Sequence, residues 1–322
     1  MIVLIAGGAG YIGSHTAKAM AAAGHTPVVL DNLSFGHTYA VQWGPLEVGD
    51  LSDPAFVRTV LEKHRIEAVV HFAANTFVGE SVSEPRKYFR NNTVNTLNLL
   101  DAMLDCGIKR IVFSSTCATY GDPLRMPLDE EHPQHPVNPY GESKYFVERI
   151  LHWYANAYGL RYAALRYFNA AGADPEGRIG EDHTPELHLI PLVIDAALGK
   201  RPHIGIYGTD YPTPDGTAVR DYVHVNDLAS AHVAALRHLS DGGESLKLNL
   251  GTGTGHSVLE VIRAVEKVSG KPIKTVASPR RPGDPAVLVA DPRKANSILH
   301  WQPKFPRIET IVEHAWKWHS GR

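Results

Sequence analysis

Short, wholly apolar runs alternate with longer amphipathic stretches through the first half of the chain. Residues 2–6 (IVLIA) carry no polar side chain, which predicts a strand buried on both faces. A glycine turn follows, then a helical pattern over 11–23 closed by Gly24. Residues 26–30 read as the next strand, ending at Asp31, and a third strand leads to Gly49-Asp50. Ser52-Asp53-Pro54 is a helix start whose pattern runs to about His64; 68–72 is again a strand. Residues 101–104 lie in a long helix ending near Gly107, and 110–113 form a strand that runs into Ser114-Ser115-Thr116. Asn138-Pro139 opens another helix, since Asn caps well and Pro suits the first helical position; 162–167 is a further strand. This alternation predicts an α/β fold, a doubly wound parallel sheet of the Rossmann type built from right-handed βαβ units.

After Asn169 proline, glycine and histidine become frequent, and 211–222 reads as hairpin-like. Asn226-Asp227 suggests a helix cap, Leu246–Leu250 a strand, and 308–319 a C-terminal helix packing through Ile311, Val312, Ala315 and Trp316. The expected organisation is a dinucleotide-binding domain over 1–169, rejoined by 219–251. A smaller mixed α/β lobe over 170–218 and 252–322 would hold the substrate, with the ligand site between the two.

The totals narrow the class. The chain has 322 residues, a formal net charge of -2 and 43% hydrophobic residues, an ordinary globular composition with no basic field for nucleic acid. The two cysteines, Cys106 and Cys117, argue against a disulfide scaffold and for a reducing compartment. The apolar start MIVLIAGGAG lacks a basic n-region and is too short to span a bilayer, so a cytoplasmic, membrane-free protein is expected.

The chemistry starts at LIAGGAGYIGSH, where Gly8, Gly10 and Gly13 fit G-x-G-x-x-G and Gly7, Gly10 and Gly13 fit an extended spacing. Between a strand and a helix, such a turn lets the backbone approach a pyrophosphate and offers it the helix N-terminus. Taken alone, the match fits a plain strand-turn-helix equally well. Asp31, ending the second strand, stands where an acid would bind the ribose hydroxyls of NAD and repel the 2′-phosphate of NADP; Asn32 adds no cation to reverse that preference. Asp50 would approach the adenine rim. In VNPYGESKYFVERIL, Tyr140 and Lys144 lie one helical turn apart. A free phenol has a pKa of about 10 and is a weak base at neutral pH unless a cation stabilises its anion. Lys144 and the positive ring of bound NAD would supply that charge, and Thr116, at a strand end, would bridge phenol and substrate.

Together with GDL at 49–51, HFAA at 71–74 and SST at 114–116, these features resemble the extended short-chain dehydrogenase/reductase family. The stretches RYFNAAGADPEGRIGED from Arg166, YGTDYPTPDGTAVRDYVHVNDLA from Tyr207, NLGTGTGHSVLEV from Asn249 and RRPGDPA from Arg280 resemble its UDP-galactose (UDP-glucose) 4-epimerase branch. The resemblance implies C4 oxidation of a UDP-hexose, rotation of the 4-keto sugar and return of the hydride, with Tyr140, Lys144 and Thr116 catalytic. It implies NAD contacts at Gly7, Gly10, Tyr11, Ile12, Gly13, Asp31, Asn32, Asp50, Leu51, Phe72, Ala73, Ala74, Asn91, Ser114 and Tyr167, besides Tyr140 and Lys144. It implies UDP-hexose contacts at Phe168, Asn169, His188, Leu189, Tyr207, Arg220, Arg281, Asp284 and Leu288, besides Thr116 and Tyr140. A homodimer through helices around 84–106 and 138–158 is also implied.

Two positions depart from the family pattern: Thr76 lies where some members carry a lysine near the phosphates, and His188 where asparagine is frequent. A sugar-nucleotide dehydratase would place an Asp-Glu pair after the threonine, where this chain has Cys117-Ala118; a non-catalytic NAD sensor would be expected to lose Tyr140 or Lys144. Leu288, of intermediate size beside the expected hexose pocket, leaves N-acetylated sugars open. Cys117 reads as a small buried residue. Eighteen histidines raise the question of a metal, yet no H-E-x-x-H or clustered Cys/His spacing occurs. His183 and His188 are five apart with no evident third ligand, so no metal is expected.

Overall fold

The computed structural model describes residues 1–281 and 283–322. Its strands are β1 (Ile2–Ala6), β2 (Thr26–Asp31), β3 (Leu46–Val48), β4 (Ala68–His71), β5 (Arg110–Thr116), β6 (Arg161–Tyr167), β7 (Asn169–Ala171), β8 (Ile204–Tyr207), β9 (Val219–His224), β10 (Leu246–Leu250), β11 (Gly255–Ser257), β12 (Thr275–Ser278) and β13 (Val287–Leu288). The helices are α1 (Tyr11–Ala22), α2 (Pro54–Lys63), α3 (Val78–Ser83), α4 (Pro85–Tyr88), α5 (Asn95–Asp105), α6 (Pro139–Tyr158), α7 (Leu189–Ala197), α8 (Val225–Ser240), α9 (Val258–Ser269), α10 (Arg293–Leu299) and α11 (Ile308–Ser320).

Seven parallel strands form the main sheet in the order β10-β6-β5-β4-β1-β2-β3. Apolar alternation within each strand fills both faces. Val3 and Ile5 of β1 join Val29, Val70, Val112 and Leu165 in a core that includes Met20 of α1 and Leu228 and Leu236 of α8. Leu4 and Ala6 turn the other way, onto Val57 and Leu61 of α2, Leu99 and Met103 of α5 and Val147 and Leu151 of α6. Each fully buried aliphatic side chain of this kind stabilises the fold by roughly 1.5–3 kcal/mol before entropy is counted. This is the doubly wound α/β architecture.

A second core gathers Ile190, Val193 and Ile194 of α7, Ile204 and Ile206 of β8, Val261 and Val265 of α9, and Ile311 and Val312 of α11. Its strands are short and paired across long sequence distances: β9 lies between β11 and β13 and also pairs β7, while β8 pairs β12. Within 219–251, α8 and β10 therefore belong to the main layer and β9 to the second sheet.

Four local expectations change. Residues 211–218 form successive turns, closed by Tyr211 N–H on Gly216 O at 2.9 Å, and no hairpin arm. Pro212 and Pro214 lack the N–H groups a ladder needs. α8 is capped by His224, whose Nδ1 accepts from Asn226 N–H at 3.0 Å. Asp227 instead accepts from the backbone N–H groups of Lys304 and Phe305, each at 2.9 Å. The long helix before Gly107 is divided by a π-helical turn over Phe89–Val94. Finally, Ser114–Thr116 continue β5, paired with β6 up to Thr116 opposite Tyr167. Among the described residues no helix is long and apolar enough to cross a membrane.

Candidate active site

The order of the sheet reverses between β1 and β4, the crevice where open α/β sheets bind ligands. Most dinucleotide-side residues singled out from the sequence lie at the carboxyl end of a parallel strand or in the helix after it; Asn91 lies in the π turn beyond α4. Gly7 adopts φ +81°, and a Cβ there would lie 2.6 Å from Ala73 N. The turns after β1 and β4 thus touch backbone to backbone at the crevice. A Cβ on Gly13 would lie 2.2 Å from Gly7 O, so this glycine allows α1 to sit on its own turn. Gly10 differs: its Cβ would meet only Gly7 O at 3.4 Å, an ordinary contact. The protein itself gives no reason for a bare backbone at Gly10, which leaves that stretch open to the approach of a ligand. Gly10 also caps α1 without a side chain, and the first turn holds no acidic residue. Its free N–H groups, those of Tyr11 and Ile12 among them, and the positive end of the helix dipole suit an anion.

Asp31 is 7% exposed. Its two oxygens accept from Ala9 N–H at 2.9 Å and Leu33 N–H at 2.8 Å, which aims the carboxylate and leaves lone pairs for hydroxyl donors. Burial raises its pKa, against those two bonds. Asp50 accepts from Ser52 N–H at 2.7 Å and from the Asn32 amide at 2.5 Å, joining the rims of β2 and β3, with Leu51 buried beneath. These features fit an adenine dinucleotide.

α6 brings in the acid–base pair. Asn138 Oδ1 accepts from Gly141 N–H at 2.9 Å, a cap worth about 1 kcal/mol, and Pro139 opens the helix. Lys144 is 2% exposed; its Nζ donates to Ser114 O at 2.8 Å and stands 4.9 Å from the Phe113 ring centre. The Ser114 hydroxyl is bonded to the Tyr167 hydroxyl. Burial drives the two groups in opposite directions: the Tyr140 phenol is pushed up to about 12, with a bond to the Thr116 hydroxyl opposing, and the Lys144 ammonium is brought down to about 7. One face of a helix, as the spacing predicts, does not by itself make the phenol acidic; desolvation is the largest influence on it. Cys117 follows in a short 3₁₀ turn, and burial pushes its thiol up to about 12, far from nucleophilic.

The second-lobe residues assemble less completely. Arg220 pairs with the Asp284 carboxylate, and Leu288 of β13 lies in register with Arg220 of β9. The Arg281 guanidinium lies 4.2 Å from the ring centre of Tyr207, which is 44% exposed. Phe168 is half-buried between β6 and β7, Asn169 pairs with Tyr222, and Leu189 begins α7. His188 is held on Glu181 and Glu186.

A model of the NAD dependent epimerase/dehydratase family matches residues 3–251. The chain belongs to that family. A UDP-glucose 4-epimerase of Halalkalibacterium halodurans is 53% identical over 99% of this chain and 96% of its own length. The crystal structure of UDP-glucose 4-epimerase from Brucella ovis in complex with NAD superposes with a TM-score of 0.95 at 50% identity, covering 97% of this chain and 96% of that one. The Bifidobacterium longum enzyme in complex with NAD+ and UDP gives 0.95 at 39% identity, covering 100% and 99%.

Within this family frame, several residues beneath the site escape sequence reading. Asn92, in the π turn, accepts from Asn75 N–H at 2.8 Å and from the Asn91 amide at 3.0 Å. It donates to Asn75 O and Ser143 Oγ, both at 3.0 Å, tying the turn after β4 to α6. Phe72, in that turn, packs on His232 of α8 at 4.7 Å between ring centres. One helical turn beyond Lys144, Glu148 accepts from Ser115 Oγ at 2.6 Å and from Arg166 Nε and Nη2 at 2.8 and 2.6 Å. Arg166 continues to the Tyr120 hydroxyl at 2.8 Å, and Tyr120 to Asn249 at 2.7 Å. The π turn is the one local sign of Asn92, since such turns gather at functional sites; no spacing signals the Glu148–Arg166 pair.

Proposed function

We propose that this chain interconverts UDP-glucose and UDP-galactose by reversible oxidation at C4, with NAD held between the turns after β1 and β4. The observation that carries the reading is that Thr116, and Lys144 bonded to Ser114 O, lie at the same carboxyl end of the sheet as the Gly7–Gly10–Gly13 turn and Asp31, with Tyr140 one helical turn before Lys144. Bound NAD supplies the acceptor, and later the donor, of the C4 hydrogen.

Asp31, Asn32 and Asp50 hold the adenine end, the α1 N-terminus binds the pyrophosphate, and Phe72–Ala74, Asn91, Ser114 and Tyr167 line the rest. Tyr140 takes the proton of the 4-hydroxyl and later returns it, so no other acid or base is required. A pKa of about 12 keeps the phenol protonated near neutral pH, with almost no phenolate present to take that proton. The Lys144 ammonium and the positive charge of the oxidised cofactor lower it in the working enzyme. Thr116 hydrogen-bonds the reacting oxygen. In the second lobe Arg220 and Arg281 take the diphosphate, since guanidinium forks match phosphate oxygens, while Tyr207, Leu189, Phe168, Asn169, Asp284 and Leu288 surround the nucleotide and sugar. Anchoring the nucleotide and leaving the hexose loose lets the sugar turn. Residues 1–169 with α8 and β10 thus serve NAD, and 170–224, which include β9 and Arg220, serve the UDP-sugar with 252–322. Cys117 and Ala118, in place of carboxyl groups, disfavour dehydration.

A cytoplasmic homodimer completes the proposal. Val94, Phe146 and Trp153 are exposed apolar residues beside or on α6, and Trp153 is 64% exposed; pairing with a second copy would cover them. The function is tested by incubating the purified chain with UDP-galactose and no added reductant. UDP-glucose should accumulate to equilibrium, followed by NMR. A 4-keto-6-deoxy product, or no change at C4, would contradict the reading.

A further inference from the structure

The segment between β7 and α7 gathers four ligand-type side chains that the proposed reaction does not use together. One atom from each of Glu181, His183, Glu186 and His188 lies within 4.8 Å of the other three. Glu181 is 3% exposed, and its Oε1 stands 2.7 Å from His188 Nδ1 and 3.2 Å from His183 Nδ1. Despite those separations, Glu181 Oε1 and His183 Nδ1 are both buried without a hydrogen bond. The His188 Nδ1 bond goes to Glu186 Oε1 at 2.9 Å.

A plain cluster of protonated histidines and carboxylates would direct each Nδ1–H along a line to an oxygen. Here a buried carboxylate oxygen and a buried imidazole nitrogen converge with no proton aligned between them. A cation that displaced the ring protons would give these converging donors a common partner.

We propose that Glu181, His183, Glu186 and His188 bind one divalent transition-metal cation of the zinc class as a structural clamp. Two imidazole nitrogens and two carboxylate oxygens suit Zn²⁺ in four-coordinate geometry. Imidazole disfavours magnesium and calcium, which want oxygen alone, and the absence of thiolate from this donor set disfavours soft monovalent copper. Four protein ligands close the site, so its role is to hold structure. The surroundings say what it holds. Tyr11, the first residue of α1, meets the His183 ring edge-on at 6.2 Å; Trp318 Nε1 of α11 donates to Glu181 O at 2.9 Å; His188 opens α7. The cation fastens the 181–188 loop to the start of α7, beside the helix that receives the dinucleotide. The histidine pair five apart in sequence thus finds its further ligands, Glu181 and Glu186, within the same loop.

The test uses the full chain with its bound cofactor, stripped with a chelator, dialysed against Zn²⁺, gel-filtered and analysed by plasma mass spectrometry, with a thermal melt in parallel. One zinc per chain and a raised melting midpoint are expected. Co²⁺ in its place should give the intense visible bands of a four-coordinate site. Glu181→Gln and His183→Asn should each abolish retention. Zinc that washes off the wild type, an octahedral cobalt spectrum, an equal melting shift from Mg²⁺, or undiminished zinc in both variants would overturn the site. The wild-type cobalt spectrum decides even where a variant fails to fold.

Discussion

The two lobes that flank the crevice are built in different ways. On the dinucleotide side the geometry is fixed by the protein's own backbone. Gly7 presses on Ala73, Gly13 sits against Gly7 O, and Asp31 is aimed by two N–H groups. On the nucleotide-sugar side the charged groups rest on one another: Arg220 on Asp284, Arg281 over Tyr207, Arg280 on Asp210. Under the proposed reaction the first lobe would be preorganised, and the second would exchange internal pairs for ligand pairs. A rigid cofactor cradle beside a rearranging substrate lobe suits a reaction in which one ligand stays put and the other turns.

The largest effect that would break this contrast is at Tyr140. Tyr140→Phe should lower kcat by about 10²–10⁴-fold or more, while NAD measured after denaturation stays stoichiometric. Loss of NAD from this variant would mean that the cradle is not built independently of the phenol.

Ion pairs sharpen the contrast next. Arg166 and Glu148 have side chains 1% and 0% exposed, whereas Arg220 and Asp284 are at 12% and 30%. Glu148→Ala leaves a buried, unpaired guanidinium and should cost about 3–5 kcal/mol in urea unfolding. Asp284→Ala should cost about 1 kcal/mol or less and act mainly on KM for the nucleotide sugar. Equal losses of stability in the two variants would erase the distinction.

Within the cradle, two glycines separate protein need from ligand need. Gly13→Ala places a Cβ 2.2 Å from Gly7 O and should destabilise the fold by about 1–3 kcal/mol. Gly10→Ala meets no such obstacle and should leave the melting midpoint of the cofactor-free chain nearly unchanged while weakening NAD binding, as read by calorimetry.

Lys144 gives the most pH-dependent effect. Burial brings its folded pKa down to about 7, below the value of an unfolded lysine, ~10.5. The unfolded chain therefore binds the proton first as pH falls. Stability contributed by neutral Lys144 is present above the unfolded value and declines as pH falls through the folded one. Lys144→Met should remove that penalty, so the cofactor-free variant should melt above the wild type at pH 6 and level with it near pH 11, even as it loses activity.

Much of this was legible in the sequence, for identifiable reasons. Strands of a parallel sheet covered on both faces are continuous apolar runs, so β1, β2 and β4 stand out in IVLIA, TPVVLD and AVVH. The glycine turn, Asp31 and the Tyr140–Lys144 helix carry their chemistry in local spacing. The smaller sheets do not, because three- and four-residue strands such as β7 and β8 pair with partners tens of positions away. Arg166 and Glu148 carry no local signal of their pairing, since only the closing of β5 on β6 under α6 buries them together. Nor does spacing tell how strongly burial shifts Tyr140 and Lys144; that sign needed the packing.

The most direct test is the titration of the Tyr140 phenol itself, read by NMR of tyrosine labelled at the carbon bearing the hydroxyl and assigned by the resonance lost in Tyr140→Phe. In the cofactor-free chain the phenol should titrate near 12, above a free tyrosine. In the NAD+-loaded chain it should fall below about 10. A Tyr140 resonance that titrates at the same pH in both forms would contradict the claim that added positive charge turns this buried phenol into the base.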